Sequence, residues 1–222
     1  NTTGNNNVAV GSYALDANTT SGWNAAFGYE ALTENTTGQY NTAIGPRSLD
    51  ANTTGDQNTG LGIHALSSNT TADNNTGIGF HALLANTTGT ENTAVGAYAL
   101  DGNTTANNNT AVGFVALGDN TTGAGNTAVG DRALYYNTTA GDQVAVGYKA
   151  LFVNTTGHSN VAVGKDALRS CTTGSSNVAM GRDAMESLTT GYDNVSVGQY
   201  TGDAITTGYN NICIGYNVDV DD

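Results

Sequence analysis

The stretch NTTGTENTAVGAYALDG, residues 86–102, decides the fold, because the chain repeats its pattern thirteen times. Copies start at 1, 18, 35, 52, 69, 86, 103, 120, 137, 154, 171, 188 and 205, with no insertion between them. The 222 residues are thirteen 17-residue units plus one residue. Their consensus is N-T-T-G-x-x-N-[TV]-A-V-G-x-x-A-L-x-x, whose positions are numbered below as columns one to seventeen. Columns two and three are Thr, and column eleven is Gly, in every copy. Column seven is Asn except at Gln143, column nine is always small, column ten is always apolar, and column fifteen is Leu in ten copies. The whole of 1–222 therefore reads as a single repeat array whose last two or three copies are degenerate.

A 17-residue period is too short for a helix–turn–helix repeat or a propeller blade. The segment N-[TV]-A-V-G is β-branched and closed by Gly, which predicts a short strand. A second short strand is expected around A-L-x-x-N-T-T, followed by a Gly-rich turn. Two strands and two turns per copy describe one coil of a parallel β-solenoid or β-roll, so the fold class is all-β. Equivalent residues then stack at the inter-strand spacing of roughly 4.8 Å, and thirteen coils extend to roughly 60 Å.

Stacking gives the fixed polar residues a role. Asn in columns one and seven forms ladders in which each amide donates to the next rung and accepts from the previous one; Asn7, Asn41, Asn92 and Asn126 are the column-seven examples. Gly11, Gly45, Gly96, Gly113 and Gly130 in column eleven supply positive φ or a close backbone approach at the bend after the strand.

Of 25 charged residues, all but Asp219 and Asp222 fall in columns five, six, twelve, thirteen, sixteen and seventeen. Those columns are expected to face water, and the fixed columns something dry or sterically demanding. Strand alternation sends columns eight and ten to one face and seven, nine and eleven to the other, and neither face accepts charge. A lone coil is expected to bury about one Val and one Leu fully, a thin core. A second dry face packed against sister chains makes good the shortfall, so self-association is expected.

Composition narrows the function classes. Gly 30, Pro 1, two Cys and no apolar run near 18 residues exclude a coiled coil, a helical membrane span and a disulfide-rich module. A net charge of −13 repels phosphate, so neither nucleic acid nor membrane insertion is expected. The chain begins on the first column of a repeat without Met, which reads as a processed chain or a segment of a longer array.

The N-T-A-V-G core at 92–96 and 126–130, followed by x-x-A-L-x-x-N-T-T-G, resembles repeat arrays of bacteriophage tail-fibre-like proteins and the head repeats of trimeric autotransporter adhesins. The resemblance covers essentially the whole chain. It implies a left-handed parallel β-roll in a homotrimer, acting as a stalk or adhesive shaft on a virion or cell surface. Cys171, Leu188 and Ile205 replace Asn in column one, and Thr201-Gly202 and Val218-Asp219 replace Ala-Leu. That drift suggests a junction or a buried end-to-end contact. A bacterial extracellular filament subunit joining end to end is the alternative, distinguished by growth into long filaments under the electron microscope.

Catalysis has little support. His64 and His81 share column thirteen on consecutive rungs, yet no Cys or carboxylate joins them at ligand spacing, so they read as exposed neighbours; His158 stands elsewhere. Cys171 and Cys213 occupy different columns and read as small buried residues. No cofactor or metal is expected, and residues 218–222 read as a frayed acidic tail. The N-T-T sites from Asn1 to Asn154, with Asn74, Asn108 and Asn194, match the N-glycosylation sequon, but N-T-T reads first as turn chemistry in a prokaryotic or viral protein. Exposed rings, including Trp23, Tyr40, Tyr98, Tyr135 and Tyr136, either stack on a host-surface polysaccharide or cover grooves between chains, with packing preferred. Adjacent Thr2 and Thr3 point oppositely on a strand and do not form an ice-binding pair of columns.

Overall fold

The computed structural model describes residues 3–220; the Asn1 sequon, Thr2 and the Asp221–Asp222 end of the acidic tail lie outside them. The protein is an all-β parallel β-solenoid with one three-residue strand per copy and, among the described residues, no helix. It divides into two compact units, 1–109 and 110–222. The first carries β1 (Val8–Val10), β2 (Ala25–Phe27), β3 (Thr42–Ile44), β4 (Thr59–Leu61), β5 (Thr76–Ile78) and β6 (Thr93–Val95). The second carries β7 (Thr110–Val112), β8 (Thr127–Val129), β9 (Val144–Val146), β10 (Val161–Val163), β11 (Val178–Met180), β12 (Val195–Val197) and β13 (Ile212–Ile214). Within each unit successive strands pair in parallel, and the partner of each residue lies 17 positions on, as in Thr42↔Thr59 and Val161↔Val178.

The second expected strand is absent. Columns eleven to seventeen are a run of turns instead, because columns thirteen and fifteen take left-handed backbone, for example His64 and Leu66 at φ +56° and +55°; column six does so again before the strand, as at Asn74, φ +61°. The Ser48 N–H donates to the Gly45 carbonyl at 3.2 Å with Arg47 at φ +55°, the sign a type II turn needs at its third residue. A second turn closes where the Asn52 N–H donates to Leu49 at 3.1 Å. Coil-to-coil bonding continues through these turns without β conformation: Leu49 N–H donates to Ala65 at 3.0 Å and Thr53 N–H to Thr70 at 2.8 Å. Left-handed backbone costs a leucine about 1–2 kcal/mol, and full burial of its side chain returns about 1.5–3 kcal/mol, so the Leu column holds its own bend in place.

The interior is narrow. Leu in column fifteen is its large apolar component, flanked by Ala in columns nine and fourteen and by Asn in columns one and seven, nearly all at zero exposure from the second coil on. The valine expected beside that leucine is not inside: column ten points outward. Nor is every fixed column dry, since the column-three threonines are exposed from Thr3 to Thr207. Among the charge-bearing columns, Asp166 and Asp183 are buried rather than solvated, each within ion-pair distance of an exposed base. Cys171, Leu188 and Ile205 lie inside their coils as an apolar continuation of the amide column.

Candidate interaction surfaces

The amide ladders run opposite to the expected sense. In column one, Asn52 Nδ2 donates back to Asn35 Oδ1 at 2.9 Å and to the Gly55 carbonyl of its own coil at 3.0 Å. In column seven, Asn41 Oδ1 accepts the Asn58 backbone N–H at 2.9 Å while its Nδ2 reaches the Gly55 carbonyl at 2.7 Å. Asn7 Nδ2 donates to the Ser21 carbonyl, Asn92 Nδ2 to Ala106 and Asn126 Nδ2 to Ala140, at 2.8, 2.8 and 3.0 Å. These side chains satisfy backbone groups that an Ala-lined interior leaves without water.

Column eleven meets both of its requirements at once. Gly45 stands at φ +126°, and a Cβ there would lie 2.6 Å from the Gly62 carbonyl oxygen; Gly113, at φ +138°, faces Gly130 at 2.5 Å. Gly11, Gly96 and Gly130 share that backbone, at φ +133°, +136° and +137°.

The column-one amide ladder is interrupted at Asn154. Gln143, one methylene longer than Asn, gives its Nε2 to the Gly157 carbonyl, and Asn154, which would share that carbonyl, has no partner for either amide atom. Asn137 Oδ1, next in line, is also unpartnered, and the following rung is the thiol of Cys171.

Columns eight and ten form an outward sheet face without a charged residue in any copy. Column eight is half-buried from Ala25 to Val195. Column ten is exposed toward the ends of the array, with Phe27, Ile44 and Leu61 at 40–44% and Ile214 at 66%, and half-buried from Ile78 to Val163.

The aromatic residues are placed largely against one another. Trp23 and Tyr40 stack at 5.4 Å between centroids, half exposed. Tyr98 is half-buried and set edge-on to Phe80 and His81 at 5.2 and 5.3 Å, and Tyr135 and Tyr136 meet at 4.6 Å beside Phe152. Lys149 lies over Tyr148 and Phe152, and Arg182 over Tyr200. Tyr192 and Tyr209 form a further stack, at 5.1 Å, signalled in the sequence by consecutive Tyr in column five. These contacts use part of the ring surface within the chain and leave the outer faces of Trp23 and Tyr40 open.

The titratable side chains form small local groups. His64 and His81 are edge-on at 5.4 Å, and burial, then the neighbouring His64, holds His81 below the ordinary imidazole value. Arg47 pairs with Glu30 at 2.7 Å, and the Tyr29 hydroxyl, then Arg47, holds that half-buried carboxyl low. Cys171 and Cys213 are free, buried thiols, and burial pushes Cys171 up to about 11, far from the reactive thiolate. Among the described residues no cavity opens, no group of His, Cys, Asp and Glu is arranged to hold a metal, and no helix is long and apolar enough to cross a membrane. Comparison with protein-family models, curated proteins and solved structures returns no match.

Proposed function

We propose that this chain is a structural shaft segment of a fibre on a virion or cell surface, supporting adhesion, and that it assembles as a homotrimer through columns eight and ten. The observation that carries the reading is the uncharged, half-exposed face those columns make in each unit. A thin interior of Leu, Ala and Asn leaves that face as apolar surface still open to burial. The number three and the extracellular setting come from the resemblance of N-T-A-V-G-x-x-A-L-x-x-N-T-T-G to fibre and adhesin repeats.

Sedimentation equilibrium of the full chain tests it. A trimer mass is expected, dissociating when Ile44 and Val146 are replaced by Asp on the outward face. A stable monomer at micromolar concentration would overturn the proposal.

A further inference from the structure

The N-glycosylation sequons of this chain fall into two structural classes. In column one, N-T-T heads every copy from Asn18 to Asn154 among the described residues, and each of these side chains is 0–1% exposed. In column six, Asn74 and Asn108 head N-N-T; both are exposed, both lie at φ +61°, and their side-chain amides make no hydrogen bond within the chain. Asn194, in column seven, is buried like column one.

We infer that N-linked glycan and fold exclude each other at column one and coexist at Asn74 and Asn108, so that this chain folds only where glycan transfer does not precede folding. The transfer joins Asn Nδ2 to the anomeric carbon of an oligosaccharide, breaks that carbon's bond to a lipid pyrophosphate carrier, and releases one amide proton. Asn52 has no proton to spare, since one Nδ2–H serves Asn35 Oδ1 and the other the Gly55 carbonyl. A sugar on that nitrogen removes one of these bonds and has no space at zero exposure. The acceptor amides are reachable only before the coils close, and once modified they keep the coils open.

The threonines of the motif serve another purpose. Thr172-Thr173, Thr189-Thr190 and Thr206-Thr207 persist in the copies where Cys171, Leu188 and Ile205 have replaced the acceptor. From Thr20 to Thr190 the column-three hydroxyls make no hydrogen bond within the chain, so their replacement is expected to cost the coil little. The inference is independent of the fibre reading.

Expression of the full chain in a eukaryotic cell, with and without an endoplasmic-reticulum signal, is the test. The cytosolic chain is expected to be protease-resistant. The secreted chain is expected to carry column-one glycans by peptide mass mapping and to be digested at least tenfold faster. An inhibitor of lipid-linked oligosaccharide synthesis should restore resistance. So should Thr→Val at column three from Thr3 to Thr156 combined with Ser196→Ala, which removes the Asn1, column-one and Asn194 sequons, with glycans then confined to Asn74 and Asn108. The inhibitor arm needs no substitution and decides the matter if that variant misfolds. A protease-resistant chain with a glycan on any column-one asparagine would sink the inference, as would a secreted chain that folds untreated with column one bare.

Discussion

Asn41 and Asn52 donate to the same oxygen: their Nδ2 groups reach the Gly55 carbonyl at 2.7 and 3.0 Å, one from the preceding coil and one from its own. The arrangement recurs at Ala72, which receives Asn58 and Asn69, and at Gly89, which receives Asn75 and Asn86. A carbonyl has two lone pairs, and here both are filled by buried amides from two different ladders. The two ladders are thereby tied together at every such coil.

Removing one amide should be expensive. Asn52→Ala takes away the bonds to Asn35 and Gly55 and leaves Asn69 Nδ2 without its column-one acceptor. Each unsatisfied buried group costs about 1–3 kcal/mol, so a loss of roughly 3 kcal/mol is expected in urea unfolding. A change below about 0.5 kcal/mol would contradict the ladder's role.

Gly113→Val forces a β-branched residue to φ +138° and drives its Cβ to 2.5 Å from Gly130 oxygen. Backbone strain of about 1–3 kcal/mol adds to a steric cost of similar size. A melting temperature lowered by ten degrees or more is expected in a thermal scan.

Gln143→Asn should stabilise the second unit. The shorter amide matches the rest of column seven, where an Asn shares the carbonyl with a column-one amide as Asn41 and Asn52 share Gly55, so Gly157 can accept Asn154, whose amide is buried and unpartnered, as well. A gain of about 1 kcal/mol in denaturant midpoint is expected, the worth of one restored hydrogen bond.

Adjacent threonines should differ. Thr53 Oγ1 donates to the Thr70 carbonyl at 3.0 Å, whereas the Thr54 hydroxyl is exposed and unbonded. Thr53→Val is expected to cost about 1 kcal/mol, and Thr54→Val less than about 0.5 kcal/mol. Equal effects would show that column three has a role within the chain.

Much of the coil was legible from residue identities. A period without insertion, Gly in every eleventh column and a β-branched triplet after Asn define the parallel register, because each of those residues meets a copy of itself. The second expected strand failed for a reason identity does not carry. Leu49 and Arg47 look compatible with extended backbone, yet both lie at positive φ, +52° and +55°. The equation of fixed with dry failed similarly at Thr54 and Ile44, which are constant in type and exposed.

The sequence by itself determined the repeat, the strand and its register, since stacking like on like follows from periodicity alone. Tertiary structure decided which face of the strand closes inward, the sense of the amide ladders, and which sequons are sealed. Those outcomes depend on where the left-handed bends turn the chain, and the bends are held by contacts between neighbouring coils rather than by the preferences of the residues that make them.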